Sequence, residues 1–169
     1  MTPDVDAKRG KILTEHAVVF ERLFPGPIER VWDFLTRAEL LPQWYGEGSI
    51  AAREGGAVNL MGGHIRGVVT QSRPPHLLAY TWNVFNPGQS VSDYPESYLT
   101  FTLQPEGGAV KLTLTHRPIP ENMQAPTQMG WHTMLDLIEA GLRGETLKRE
   151  DLFPKNAVLY GVDMKALKR

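Results

Sequence analysis

PTQMGWHTMLDLIEAGLRG, residues 126–144, is the stretch of sequence that decides the fold. Its large apolar residues recur at spacings of three and four, which predicts an amphipathic helix. The predicted buried face consists of Trp131, Met134, Leu135, Ile138 and Leu142. Such a helix runs roughly 27 Å, long enough to cross a small domain. It therefore needs another layer, and we expect a sheet, to cover its apolar face.

The opposite flank of this helix is polar. It carries His132, Asp136, Glu139 and Arg143. Glu139 stands four residues before Arg143, a spacing that suits an ion pair on a solvated helix surface. We expect Asn122 or Thr127 to cap the first turn. The pattern predicts that this flank faces water.

The rest of the chain predicts mostly strands. Residues 16–24 are rich in β-branched and aromatic side chains, and either Val18 with Phe20 or Val19 with Leu23 forms the inward face. Residues 27–35 follow with helical spacing, and residues 38–43 predict a further helical turn that leads into Trp44 and Tyr45, which we expect to plug one end of the core. The period then changes to two. Turn residues separate the short runs 47–53, 57–61, 64–72, 77–85, 97–104 and 109–117, typical of an antiparallel meander.

The turns predict the strand register. A two-residue turn at Gly62-Gly63 pairs Leu60 with Ile65, and the next pairing places Gly67 opposite Trp82, where a glycine leaves room for the indole. A four-residue turn at 105–108 pairs Leu103 with Val110, Phe101 with Leu112, Leu99 with Leu114 and Ser97 with His116. The other face of that hairpin is rich in threonine and is predicted to face solvent.

Composition limits the classes of function. The 169 residues are 41% hydrophobic and 22% charged, with a net charge of −1, so nothing indicates nucleic acid as a partner. The chain has no cysteine, which excludes disulfides and thiolate chemistry and fits a reducing compartment. No apolar run approaches the length of a membrane span, and the first residues lack an apolar signal core. We expect a cytoplasmic protein that does not insert into membranes.

Five segments together resemble the START-like, birch-pollen-allergen-like superfamily. They are FERLFPGPIERVWDFLT, ELLPQWYG, RGVVTQSRPPHLLAYTW, SYLTFTLQPEGGAVKLTLTH and GWHTMLDLIEAGL. Their order is similar to the SRPBCC branch that includes activators of the heat-shock-protein-ninety ATPase. The resemblance implies an α+β helix-grip fold: a curved antiparallel sheet of about six to seven strands, two short helices after the first strand, and a long C-terminal helix packed on the sheet.

The expected organisation has three parts. Residues 1–15 form a flexible N-terminal arm, residues 16–145 the helix-grip domain, and residues 146–169 a tail that packs back on the domain or on a partner. In that tail, Leu152, Phe153, Leu159 and Tyr160 supply the apolar side chains.

The resemblance also implies a cavity between the sheet and the helix. The candidate ligand-binding residues are Gln71, Tyr80, Trp82, Ser97, Phe101, Leu114, His116, Trp131, Met134 and Ile138. A mostly apolar lining with a few polar groups is typical of a site for small molecules. The alternative is that these side chains close on one another as a dry core.

His116 is the polar candidate of most interest because an inward-facing histidine can act as an acid, a base or a ligand donor. The alternative is a structural hydrogen bond to Ser97 or to a loop carbonyl. Glu96 with His116, or Asp93 with Tyr94, is a candidate acid–base pair, against the simpler reading of solvated loop charges. The five histidines are scattered without metal-ligand spacing, so we predict neither a metal nor a cofactor, and no catalytic residue is assigned.

Three functions follow. The first is binding of a small hydrophobic or lipid-like molecule in the cavity. The second makes the chain a chaperone-associated activator of a heat-shock ATPase, through the outer sheet surface or the helix. The third is an enzyme of the cyclase or hydrolase kind that uses the same cavity. The sequence leaves the identity of the ligand and the oligomeric state open.

Overall fold

The fold was analysed in a computed structural model, which describes residues 14–167. Its strands are β1 (Val18–Pro25), β2 (Gly48–Ile50), β3 (Ala57–Leu60), β4 (Ile65–Arg73), β5 (Leu77–Val84), β6 (Ser97–Glu106) and β7 (Ala109–Arg117). Its helices are α1 (Ile28–Thr36), α2 (Gln124–Leu142), α3 (Arg149–Tyr160) and α4 (Met164–Leu167). Of the predicted flexible arm, residues 1–13 lie outside the described residues.

The strands form one antiparallel sheet in the order β1-β7-β6-β5-β4-β3-β2. The sheet is open and curved, and α2 lies along it, so the predicted α+β helix-grip architecture is confirmed. The second predicted short helix is a single 3-10 turn, Leu41–Gln43. Pro42 explains its shortness, because proline has no N–H to donate to a continuing helix. Trp44 and Tyr45, directly after it, are fully buried, as predicted.

The ambiguous face of β1 is settled by its pairing with β7. Val18 and Phe24 are buried and Phe20 packs against the core, whereas Val19 and Leu23 are each 57% exposed. Phe20 lies opposite Leu114, which is itself inside the grip. Because side chains alternate along a strand, this one pairing sends Val19 and Leu23 outward.

The predicted register of the β6–β7 hairpin is wrong by two residues. Leu103 pairs with Leu112, Phe101 with Leu114 and Leu99 with His116. The turn is the two-residue Gly107-Gly108, both at positive φ, rather than the predicted four-residue loop. A tight turn of this kind matches the twist of the flanking strands, and Pro105 and Glu106 become part of β6. A shift of two keeps each side chain on its predicted face, so the apolar face still points into the core.

A β-bulge between Val69 and Gln71 interrupts the pairing of β4 with β5. The extra residue reverses the alternation, so that Val69 is buried and Gln71 is exposed. The prediction that Gln71 faces the cavity is therefore wrong. The predicted Leu60–Ile65 and Val58–Gly67 pairs are confirmed.

Gly67 is needed for a reason other than the one predicted. A Cβ atom built on it would overlap the carbonyl oxygen of Thr81 and lie 2.8 Å from its hydroxyl. The strand backbone, and not the Trp82 indole, occupies the space that a side chain would need. Thr81 Oγ1 also accepts a hydrogen bond from the Val68 N–H at 2.9 Å, which holds the two strands at this separation.

Helix α2 buries the predicted apolar stripe. Trp131, Leu135 and Ile138 are at most 1% exposed, and Met134 and Leu142 are half-buried against the core. The helix begins at Gln124 after a 3-10 turn, and its N-cap, Met123, makes no side-chain capping bond. The predicted cap at Asn122 or Thr127 is therefore wrong.

The prediction of a solvent-facing flank on α2 holds only at its C-terminal end, where Arg143 Nε donates to Glu139 at 3.3 Å. Towards the middle of α2, around His132 and Thr133, helix α3 packs across this flank. Asn156 Nδ2 donates to Thr133 Oγ1 at 2.8 Å with both residues buried, and His132 Nδ1 bonds to the Tyr160 hydroxyl at 2.8 Å. The tail thus lies against the domain through buried polar contacts. Within the described residues, we find no helix of the length and apolarity that crossing a bilayer requires.

Candidate functional site

A cleft of about 940 Å³ opens between the sheet and the N-terminal half of α2. Its apolar lining includes Ile65, Trp82, Val84, Trp131, Met134 and Phe153. The strands supply the floor, α2 supplies one wall, and α3 supplies Phe153 and Arg149. A space of this size lies within the range of roughly 300–1,000 Å³ typical of small-molecule sites.

The ten candidate ligand-binding residues separate into three groups. Those that line the cleft are Trp82, Ser97, His116, Trp131 and Met134. Those that lie in the packed core beneath it are Tyr80, Phe101, Leu114 and Ile138. Gln71 is exposed beyond the bulge, away from both. The predicted face is thus a cleft at one end and a dry core at the other.

An aromatic cluster forms the floor of the cleft. The ring centroid of Trp82 lies 5.8 Å from that of Tyr45, 5.4 Å from that of Trp131 and 4.9 Å from that of His116. Tyr45 and Trp131 are buried, whereas Trp82 is only partly buried. Trp82 is therefore the aromatic residue that the cluster presents to the cleft. Its neighbours hold it in place by ring contacts of the kind that stabilise aromatic pairs.

The Tyr45 hydroxyl has a polar partner beneath the floor. The Tyr80 hydroxyl donates to it at 3.4 Å, and burial raises the pKa of both phenols above their ordinary value. Both rings are therefore neutral near pH 7. They act as apolar packing with one internal hydrogen bond, which leaves the floor of the cleft uncharged.

His116 lies within a chain of hydrogen bonds with a fixed direction. Trp131 Nε1 can only donate, so at 3.0 Å it donates to His116 Nδ1. The neutral imidazole then carries its proton on Nε2, which donates to Ser97 Oγ at 2.8 Å. The Ser97 hydroxyl in turn donates to the Trp82 carbonyl at 3.3 Å. Every donor in the chain has an acceptor.

This chain decides what His116 can do. Burial lowers its pKa from 6.5 to about 4, so the ring is neutral near pH 7. Its one acceptor nitrogen is occupied by the Trp131 N–H, so it has no lone pair with which to take a proton from a substrate. The sequence offered two interpretations of His116, a catalytic group or a structural hydrogen bond to Ser97, and the observed contact is the structural one. Glu96 lies apart and accepts instead from Asn83 Nδ2 at 2.9 Å.

Arg149 is one of the cleft residues that sequence reasoning missed. Its Nη2 donates to the carbonyl oxygens of Trp44 at 2.6 Å and Tyr45 at 3.1 Å, which joins the start of α3 to the 3-10 turn. The nearest signal in the sequence is Phe153, an aromatic residue four positions later and therefore on the same face of a helix as Arg149. Among residues 14–167, no cluster of three metal-ligating side chains is present.

Several solved structures are similar to this chain over most of its length. Among functionally curated proteins, none gave a significant match. Among solved structures, CalU16 from Micromonospora echinospora superimposes with a TM-score of 0.69 at 21% identity, over 86% of this chain and 85% of that one. MLL2253 from Mesorhizobium loti superimposes with a TM-score of 0.67 at 25% identity, over 78% of this chain and all of that one.

A third similar structure is PFC0360w from Plasmodium falciparum, described as an HSP90 activator, with a TM-score of 0.62 at 23% identity over 75% of this chain and 95% of that one. These likenesses agree with the fold described above. The family model for activator of Hsp90 ATPase homolog 1-like proteins matches residues 25–143, more than half of the sequence, from the end of β1 through α2. The chain therefore belongs to the activator of Hsp90 ATPase homolog 1-like family.

Proposed function

We propose that the protein binds a small hydrophobic molecule in the cleft between the sheet and α2. The observation that carries this proposal is the partly buried Trp82, held at the cleft surface by the buried Tyr45 and Trp131. An apolar ligand placed on this ring removes apolar surface from water, and this burial contributes a favourable free energy of about 25 cal/mol per Å². The Ser97–His116–Trp131 chain satisfies its own polar groups, so an apolar ligand on the aromatic floor leaves none of these donors unpaired.

The proposal assigns no catalytic residue. His116 is the histidine nearest the aromatic floor, and its hydrogen bonds hold Trp131 and Ser97 in place. An enzyme of the cyclase or hydrolase kind would need an acid or base with a free lone pair or proton facing the substrate. His116 offers neither, so we assign it a positioning role.

Binding is tested with the neutral dye phenylnaphthylamine, whose fluorescence rises on entering an apolar site. We expect saturable binding to the protein, with quenching of tryptophan emission because Trp82 and Trp131 line the cleft. The deciding variant is Gly130→Leu. Gly130 lies on α2 at the cleft, and a Cβ atom built there has no heavy atom within 4 Å, so we expect a leucine side chain to be accommodated in the open space of the cleft.

Gly130→Leu is expected to weaken dye binding at least about fivefold while the protein stays folded, because the side chain occupies the volume that the dye needs. Leu159→Ala is the matched control, since Leu159 is 61% exposed on α3 and does not line the cleft. Equal affinity of wild type and Gly130→Leu would show that the dye binds elsewhere. Absence of saturable binding to the wild type would reject the proposed function.

A second candidate is activation of an Hsp90-type ATPase. Family membership and the similarity to PFC0360w support it. The edge strand β1 also exposes Val19 and Leu23 on the outer surface of the sheet, where apolar side chains are available to a partner protein. The two candidates use different surfaces, so they are separable by experiment.

The test measures the ATPase rate of a purified Hsp90 with and without the protein. We expect stimulation that Leu23→Ser reduces and that Thr113→Ala, on the same outer face, leaves unchanged. An ATPase rate that does not respond to saturating protein would reject this candidate and leave the cleft proposal untouched.

A further inference from the structure

Arg149 places a cation at the edge of the aromatic floor. It is the first residue of α3 and is half-buried, and its side chain forms part of the cleft lining. Both of its hydrogen bonds with the described residues use Nη2, which donates to the carbonyls of Trp44 and Tyr45. These bonds fix the guanidinium beside Tyr45, whose ring stacks on Trp82 at 5.8 Å.

The guanidinium has no ion-pair partner among the residues that the structure describes. Across residues 14–167, no carboxylate lies within 4.0 Å of Arg149. Of the two carboxylates in the cleft lining, Glu15 is bonded to Arg117 at 2.7 Å and Glu121 is exposed. Glu150, the next residue, is also exposed and acts only at longer range. A half-buried cation of this kind gains free energy from any anion that reaches it.

Three N–H donors of the Arg149 guanidinium remain unused by residues 14–167. A guanidinium has five N–H donors in a planar fork, and the carbonyls take only those of Nη2. Nε and Nη1 make no hydrogen bond within the described part of the chain, and Nη1, with two N–H groups, can donate to an oxygen of a carboxylate or sulfonate. Phe153, with its ring 6.0 Å from the guanidinium carbon, adds an apolar surface beside these donors.

We propose that the cleft selects organic anions, with an apolar ring-bearing body on Trp82 and a carboxylate or sulfonate group on Arg149. This inference rests on the proposed ligand-binding function and names its ligand class. It also gives the tail a role in recognition, because α3 lies after the part of the chain that matches the family. The tail then supplies the polar end of a site whose apolar floor comes from the family domain.

The experiment compares two dyes of similar shape that differ in charge: anilinonaphthalenesulfonate, an anion, and phenylnaphthylamine, which is neutral. Arg149→Met is expected to weaken sulfonate binding by about ten- to a hundredfold, the range for losing a charge-assisted hydrogen bond. Binding of the neutral dye should change by less than about twofold, because the body of the ligand rests on the aromatic floor. Lys148→Met, which removes the same charge from the exposed neighbouring residue, should leave both affinities unchanged.

The outcomes separate this inference from the proposed function. If the wild type binds neither dye, the cleft proposal itself is wrong. If it binds both, and Arg149→Met affects both equally or neither, the cleft binds ligands but the role of Arg149 as an anion site is overturned. Should Arg149→Met fail to fold, salt decides the question in the wild type. Sulfonate affinity that falls several-fold from low to high salt, with the neutral dye unaffected, supports the anion site, and equal behaviour of the two dyes overturns it.

Discussion

The two ends of helix α2 show the same amphipathic stripe in two different roles. A Cβ atom built on Gly141, near the C-terminal end, would lie 2.5 Å from the Phe34 ring. A Cβ atom built on Gly130, near the N-terminal end, has no heavy atom within 4 Å. One end is packed so closely that a methyl group does not fit. The other lies beside open space in the cleft.

The difference comes from what covers the helix. At the packed end, α1 brings Phe34 against α2, and Leu35 and Leu41 complete the core there. At the open end, the cleft is bounded by Arg149 and Phe153 of α3, by residues 14–16, by the turn after β3 and by the loops after β5 and β7. An apolar stripe therefore indicates burial, but the elements opposite it decide whether the result is dry packing or a site.

The largest expected effect compares two neighbouring residues on α2. Leu135→Ala should lower the free energy of unfolding by about 2–5 kcal/mol, because Leu135 is fully buried in the dry core. Met134→Ala should cost only about 1 kcal/mol, because Met134 is half-buried beside the cleft. Urea unfolding of both variants measures the difference. Equal losses would show that the cleft-facing and core-facing sides of α2 are packed alike.

His116, buried where the cleft meets the packed core, provides a test by pH dependence. Because burial lowers its folded-state pKa from 6.5 to about 4, the unfolded chain takes up the proton first as the pH falls. Stability should therefore be complete above about pH 6.5 and fall by about 3 kcal/mol as the pH drops to about 4. The measurement is the free energy of unfolding of wild type minus that of His116→Asn across this window, since the subtraction cancels the other titrating groups. Parallel curves for the two proteins would contradict the buried, neutral histidine.

The smallest expected changes in stability are those of two glycine substitutions on α2, which should have opposite signs. Gly130→Ala should stabilise the protein by about 0.5–1 kcal/mol, because alanine favours helix and the new methyl group meets empty space. Gly141→Ala gains the same helix propensity but forces the buried Phe34 ring to move, so we expect a net loss of about 1 kcal/mol. Thermal unfolding of the pair checks this, with opposite shifts expected. Two shifts of the same sign would remove the contrast between the ends.

Much of the fold was predictable because it depends on periodicity. The period-two runs identified six strands of the sheet, composition identified β1, and the spacing of Trp131, Leu135 and Ile138 identified α2 and its buried face. The β6–β7 faces were also right, although the pairing was shifted by two residues. Alternation depends only on neighbours along the chain, whereas the register depends on which of the four turn residues the hairpin uses.

The site was less predictable, because it depends on contacts between distant segments. The bulge in β4 that turns Gln71 outward arises from pairing with β5, and alternation alone did not show it. Tyr80, Phe101, Leu114 and Ile138 share a face with Trp82 and Trp131, but neighbouring layers cover them. Arg149 lies more than a hundred residues from the carbonyl groups it binds, and nothing in its local sequence announces that contact.

What the sequence alone determined was the strands, the long helix and the inward face of most of them, since alternation and helical spacing are local. The order of these elements supplied the resemblance that implied the helix-grip architecture, whereas the face of β1 and the side on which Gln71 lies depended on strand pairing. Tertiary structure alone decided where the grip stays open. It set the direction of the Trp131–His116–Ser97 hydrogen bonds and brought α3 across to complete the cleft. The physical reason is that an apolar helix face can be buried by any packed layer, whereas a cleft forms only where no packed element fills the space beside one end of the helix.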